Sequence, residues 1–169
     1  MNTLFLDRDG VLNVLRPNDY VKTPDELEIL PGVPEAIAIC RKHFDRIIIV
    51  TNQQGVGKGL MTEDDLAAVH DKLLKAIGPI DHIYYCTQRE REHSLRRKPS
   101  VGMALEARED FRIDLGKSVM VGDAASDMLF GRRAGMQTVL VENNSDVWET
   151  QPWLVDKRYP TLLDYARSL

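Results

Sequence analysis

From Arg46 to Thr51 the chain reads Arg-Ile-Ile-Ile-Val-Thr. Such a run of β-branched apolar residues does not suit a sheet with one wet face. It suits a strand buried on both faces, as in a parallel sheet covered by helices. Shorter runs at Thr3–Asp7, His82–Cys86, Ser118–Val121 and Gln137–Val141 read as further strands. Helical patterns separate them. Pro34–His43 carries Ala36, Ile37, Ile39 and Cys40 on its apolar side. Thr62–Ile77 is the clearest helix: Leu66, Val69, Leu73 and Ile77 line one face, Thr62 and Asp65 form a capping-box-like start, and Gly78-Pro79 stops it. Val101–Phe111, Asp127–Ala134 and Thr161–Ser168 complete the set. Strands alternating with helices through short connections predict a single three-layer α/β domain over residues 1–169, with a mostly parallel, Rossmann-like sheet.

The chemistry gathers where such a sheet keeps it, just past the carboxyl ends of the strands. The first strand runs into Asp7-Arg8-Asp9-Gly10-Val11. The second ends in Thr51-Asn52, Arg97-Lys98-Pro99 comes before the third helix, and Val121-Gly122-Asp123 is followed by Asp127. Two acids, a hydroxyl, a lysine and two further acids in this order make a magnesium-dependent phosphoryl-transfer site. Asp7 is the candidate nucleophile, since a carboxylate at a strand end can attack phosphorus and form an aspartyl-phosphate. Asp9 lies on the same side of an extended backbone and is the candidate acid and base. Thr51 and Asn52 are candidate holders of the phosphoryl oxygens. Lys98 screens their charge, and Arg97 is a candidate second substrate contact through its fork of donors. Magnesium takes hard oxygen ligands, usually one or two carboxylates. Gln53–Gly59 is glycine-rich but lacks the phosphate-loop pattern, and reads as a flexible loop.

Charge and cysteine content narrow the class. A net charge of −4 over 169 residues argues against a nucleic-acid surface, as does the lack of a basic stripe with stacking aromatics. Two cysteines, Cys40 and Cys86, make no disulfide framework, so a reducing cytoplasm is expected. No apolar run approaches a membrane span, and the early start of the first strand leaves no room for a secretory leader. Asn13–Gly32, with Pro17, Pro24, Pro31 and Tyr20-Val21, reads as a loop beside the site. Thr87–Ser100 is strongly basic, and neither segment is long enough for a second domain. Trp148 and Trp153 read as packing on the final helix or as an interface; the oligomeric state stays open.

With these motifs in place the chain resembles the haloacid dehalogenase-like (HAD) phosphatases, along almost its whole length. The Asp-Arg-Asp-Gly form, with Asn13 and Tyr20-Val21 after it, resembles the branch of histidinol-phosphate and heptose 1,7-bisphosphate phosphatases. The resemblance implies a HAD fold without a large cap domain. It implies magnesium held by Asp7, Asp123 and the backbone carbonyl of Asp9, with Asp127 orienting Lys98 or waters behind them. An aspartate at the position of Asp9 marks the family's phosphatases, where its ATPases carry threonine. The branch commonly has a zinc loop before the lysine. Here Cys86 stands at the first ligand position, but Gln88 replaces the histidine, and Ser94 and Arg96 replace the later cysteines. One soft ligand cannot close a four-coordinate site, so no structural zinc is expected. The expected substrate is a small phosphorylated metabolite, a heptose bisphosphate first and histidinol phosphate second. The alternatives are a polynucleotide 3′-phosphatase and a non-catalytic phosphosugar-binding module.

Overall fold

The structure is a computed structural model that describes residues 2–142 and 146–169. Its elements run β1 (Thr3–Leu6), α1 (Val33–Cys40), β2 (Arg46–Asn52), α2 (Gln54–Gly57), α3 (Glu63–Ile77), β3 (His82–Cys86) and α4 (Gly102–Phe111). They continue as β4 (Val119–Gly122), α5 (Ala125–Ala134), β5 (Gln137–Val141), α6 (Val147–Thr150), β6 (Lys157–Tyr159) and α7 (Leu162–Arg167). One six-stranded sheet forms, in the order β3-β2-β1-β4-β5-β6, with every pair parallel. The chain winds outward from β1 to one side through β2 and β3, then returns to the other side of β1 with β4. The order therefore reverses at β1, and a crevice opens beyond its carboxyl end.

Alternation along the strands divides the core. Leu4, Leu6, Ile47, Ile49, Val119 and Val121 face α1, α3 and α7, where Ala36, Ile37, Val69, Leu73 and Tyr165 pack against them. Phe5, Ile48, Val50 and Met120 face α4 and the buried Phe130 of α5, with Met103, Ala104 and Ala107. Both faces of β1 and β2 are dry, as the Ile47–Val50 run requires. Each such side chain contributes about 1.5–3 kcal/mol by burial. α3 begins as expected: Asp65 N donates to Thr62 Oγ1 at 3.0 Å, and Thr62 N donates to Asp65 Oδ2 at 2.8 Å. That reciprocal cap contributes about 1 kcal/mol and fixes where the helix starts.

Several boundaries shift. β1 ends at Leu6, and Asp7 is the first residue past its ladder, although Asp7 N still donates to Val121 O at 3.0 Å. Gln54–Gly57, expected as open loop, makes one helical turn closed by Lys58 N to Gln54 O at 2.8 Å. α5 starts at Ala125, so Asp127 stands inside its first turn. β6 was not foreseen. Lys157 and Arg158 are exposed on this three-residue edge strand, so it carries no apolar run to mark it. Trp153 and Trp148 are both exposed, and the Arg158 guanidinium lies over the Trp148 ring. Among the described residues, no helix is long and apolar enough to cross a membrane.

Candidate active site

Three loops bring the chemistry to the carboxyl edge of β1, β2 and β4. The β1 loop turns sharply at Gly10, whose φ is +87°. A Cβ there would stand 2.0 Å from Asp123 Oδ2, so only glycine lets the Asp9–Gly10 backbone lie against Asp123. Gly122, at the end of β4, is pressed the same way: a Cβ would meet the Cβ of Asp127 at 2.2 Å. Asn52, at the end of β2, clamps the lysine loop with both ends of its amide. Asn52 Nδ2 donates to Lys98 O at 3.1 Å, and Lys98 N donates to Asn52 Oδ1 at 3.0 Å. The Lys98–Pro99 peptide is cis.

Lys98 thereby enters the acid cluster. Its side chain is 2% exposed, and Nζ donates to Asp7 Oδ1 at 2.8 Å and to Asp127 Oδ1 at 2.7 Å. Burial opposes the lysine charge, but Asp127 and Asp7 outweigh it and hold the ammonium well above its ordinary pKa. Asp127 is saturated: Oδ1 takes Lys98, and Oδ2 accepts from Asp123 N and Ala124 N, both at 3.2 Å. These last two bonds also tie down the entry to α5.

Asp7, Asp123 and Asp127 each place a carboxylate oxygen within 4.8 Å of the others. Three acids so close carry more negative charge than one lysine offsets. Burial, then the charges of Asp127 and Asp9, push the Asp7 carboxyl up to about 7 against the pull of Lys98. Burial, then Asp7 and Asp127, push Asp123 up to about 9. That surplus of buried oxygen charge suits a hard divalent cation. Because Asp127 is already committed to Lys98 and two backbone donors, the carboxylates left for a metal are Asp7 and Asp123.

Asp9 lines the same cleft, which measures about 220 Å³ and also exposes Tyr20, Asn52 and Ser126. Its carboxylate is held by three neighbours. Oδ1 accepts from Arg8 at 2.9 Å and from Asn13 at 3.0 Å, and Oδ2 accepts from Gln53 Nε2 at 2.9 Å. Burial alone would raise the Asp9 carboxyl, but Arg8 and these donors outweigh it and hold it below its ordinary value.

The cluster thus assembles Asp7, Asp9, Lys98, Asp123 and Asp127, with Asn52 at the wall. Thr51 stands apart from the cleft wall: it is fully buried, and its Oγ1 accepts from Gln53 Nε2 at 2.9 Å. Arg97 faces an adjoining cavity of about 470 Å³ that shares Asn52, Lys98 and Ser126 with the acid cluster. One of its terminal nitrogens is buried without a partner among the described residues. Gln53, Arg8 and His70 were missed as site residues. Gln53 sat in a stretch read as loop, and the Arg8–His70 contact spans 62 positions with no local signal.

The chain is similar to proteins of known family and structure. A family model described as HAD-hydrolase-like matches residues 95–155. The D-glycero-alpha-D-manno-heptose-1,7-bisphosphate 7-phosphatase of Burkholderia mallei is 38% identical over 149 residues, covering 82% of this chain and 78% of that protein. A D-glycero-beta-D-manno-heptose-1,7-bisphosphate 7-phosphatase of Helicobacter pylori is 30% identical, covering 97% of this chain and 96% of its own. The crystal structure of D,D-heptose 1,7-bisphosphate phosphatase from B. bronchiseptica, complexed with magnesium and phosphate, superposes with a TM-score of 0.87 at 30% identity. It covers 99% of this chain and 97% of that one.

Proposed function

The chain belongs to the HAD-like phosphatases, in the branch of the heptose 1,7-bisphosphate phosphatases, and on that premise we propose that it removes one phosphate from a heptose 1,7-bisphosphate with Asp7 as nucleophile. The observation that carries the reading is the convergence of Asp7, Asp123 and Lys98 at the sheet edge, backed by relatives that carry this activity in their names.

In the first step an Asp7 oxygen forms a bond to phosphorus as the ester P–O bond breaks. Asp9 gives its proton to the departing oxygen. A phosphate entering beside Asp9 brings like charge and raises its proton affinity from the low resting value. In the second step water attacks phosphorus and the Asp7–phosphorus bond breaks, with Asp9 taking the water's proton. Lys98 offsets charge on Asp7 and on the transferring group, held in place by Asp127 and Asn52. Magnesium fits the Asp7 carboxylate, one oxygen of which is taken by Lys98, and the Asp123 carboxylate with the Asp9 backbone carbonyl, and when bound would supply the positive charge that this acid surplus lacks. Thr51 acts through Gln53, which it orients toward Asp9.

Arg97 lines the cavity beside Lys98 and is the side chain proposed to meet the second phosphate of a bisphosphate. The donor set near Cys86 does not fit zinc. Its neighbour is the Ser94 hydroxyl at 3.8 Å, and the Arg96 cation is bonded to Tyr85 O at 2.9 Å. One domain suffices for this chemistry. Free, buried Cys40 and Cys86 suit a reducing cytoplasm.

The test is phosphate release from both anomers of heptose 1,7-bisphosphate, from histidinol phosphate and from a 3′-phosphorylated oligonucleotide, with magnesium and with chelator. Preferred, magnesium-dependent turnover of a heptose bisphosphate supports the reading. Preference for either other substrate overturns it.

A further inference from the structure

Arg8 lies between the two acids of the β1 loop and is completely buried. Its guanidinium bridges two elements. One terminal nitrogen donates to Asp9 Oδ1 at 2.9 Å, and the other lies 3.1 Å from His70 Nε2 on α3. Its Nε has no partner among the described residues. Burying a guanidinium with one carboxylate is a poor way to gain stability, since apolar residues of similar volume serve as well or better. The position therefore calls for an explanation in terms of the site.

His70 supplies the other half. It is 7% exposed on a helix fixed by its capping box and by Leu66, Val69 and Leu73. Burial, then the Arg8 charge, push its imidazole down to about 4, so Nε2 is an unprotonated acceptor for Arg8. The Tyr85 ring stands 6.1 Å from it, centroid to centroid. Held by α3 at one end, the planar fork has a single orientation at the other.

We propose that Arg8, anchored by His70, is a positioning residue that fixes the Asp9 carboxylate, engaging Oδ1 and leaving Oδ2 for the transferred proton. Asn13 shares Oδ1, and Gln53 makes the one contact to Oδ2. An Asp9 freed from this bracket rotates away from the leaving oxygen, and proton delivery fails while phosphate binding at Asp7 and Lys98 survives. The inference rests on Asp9 acting as the acid.

The leaving group separates this role from a general loss of structure. p-Nitrophenolate departs without a proton, whereas the alkoxide of a sugar phosphate does not. kcat/KM reports the first step alone, so the ratio of kcat/KM for heptose 1,7-bisphosphate to that for p-nitrophenyl phosphate reads proton delivery. The variants are His70→Leu, which removes the acceptor, and His70→Gln, which restores one. Arg8→Lys keeps a charge but not the fork, and Asp9→Asn is the reference. The expected result is a ratio lowered about tenfold or more in His70→Leu and Arg8→Lys, with recovery in His70→Gln. A larger fall is expected in Asp9→Asn. Equal losses on both substrates, or no loss, in the folded His70 and Arg8 variants overturn the proposal while the Asp9→Asn ratio collapses. An unchanged ratio in Asp9→Asn overturns the acid assignment itself.

Discussion

Lys98 Nζ stands 2.7 Å from Asp127 Oδ1, and both side chains are almost wholly buried. The pair joins the third and fourth signatures of the site, from segments 29 residues apart. It also explains why Asp127 is not left to bind metal: its two oxygens are already spoken for.

Removing the cation leaves two buried acids facing each other. Lys98→Met is expected to destabilise the metal-free protein by about 3 kcal/mol and to lower kcat roughly 10²-fold or more. Adding Asp127→Asn to Lys98→Met should recover part of the stability and none of the activity. Urea denaturation and phosphate release measure the two separately; additive stability losses would contradict the pairing.

Gly10 is required by both conformation and space, with φ at +87° and Asp123 Oδ2 where a methyl would go. Gly10→Ala should displace Asp123 and raise the magnesium concentration needed for half-maximal activity about tenfold or more. A magnesium titration of phosphate release checks this, with circular dichroism confirming the fold.

His70 makes stability depend on pH. Its pKa falls from 6.5 to about 4 on folding, through burial first and Arg8 second. Between those values the unfolded chain carries the extra proton, so stability is lost as pH drops from about 6.5 toward about 4. Wild type should lose about 1–2 kcal/mol more than His70→Gln between pH 7 and pH 5. Equal losses would show that the ring takes up its proton as readily in the folded protein as in the unfolded chain.

Arg97 should separate bisphosphates from monophosphates. Arg97→Ala is expected to raise KM for heptose 1,7-bisphosphate about tenfold and leave p-nitrophenyl phosphate nearly unchanged, because only the first has a second anion to reach the cavity that Arg97 lines. Steady-state kinetics on both substrates decide it.

Sheet and acids were legible because local chemistry marks them. Ile47–Val50 reads as a doubly buried strand, Asp7 and Asp123 each follow a buried strand directly, and Asp9 stands two residues beyond Asp7. Lys98 was legible by its order in the chain. What sequence concealed depends on contacts between distant segments. β6 has exposed polar residues on a short edge, and nothing in Lys157–Tyr159 distinguishes it from a turn. Arg8 carries no local sign of its burial, because its partner His70 lies 62 positions away. Thr51 ends a strand as expected, but the direction of its hydroxyl, toward Gln53, is set by packing around β2.

The central claim is that Asp7 carries the phosphoryl group. The direct measurement mixes enzyme with heptose 1,7-bisphosphate and magnesium, quenches with acid within one turnover, reduces with borohydride and sequences the peptides by mass spectrometry. An aspartyl-phosphate is reduced to homoserine, so homoserine is expected in place of Asp7 and nowhere else, with no phosphate release from Asp7→Asn. Phosphate release with Asp7 unmodified throughout the turnover, or undiminished activity in Asp7→Asn, would contradict the account.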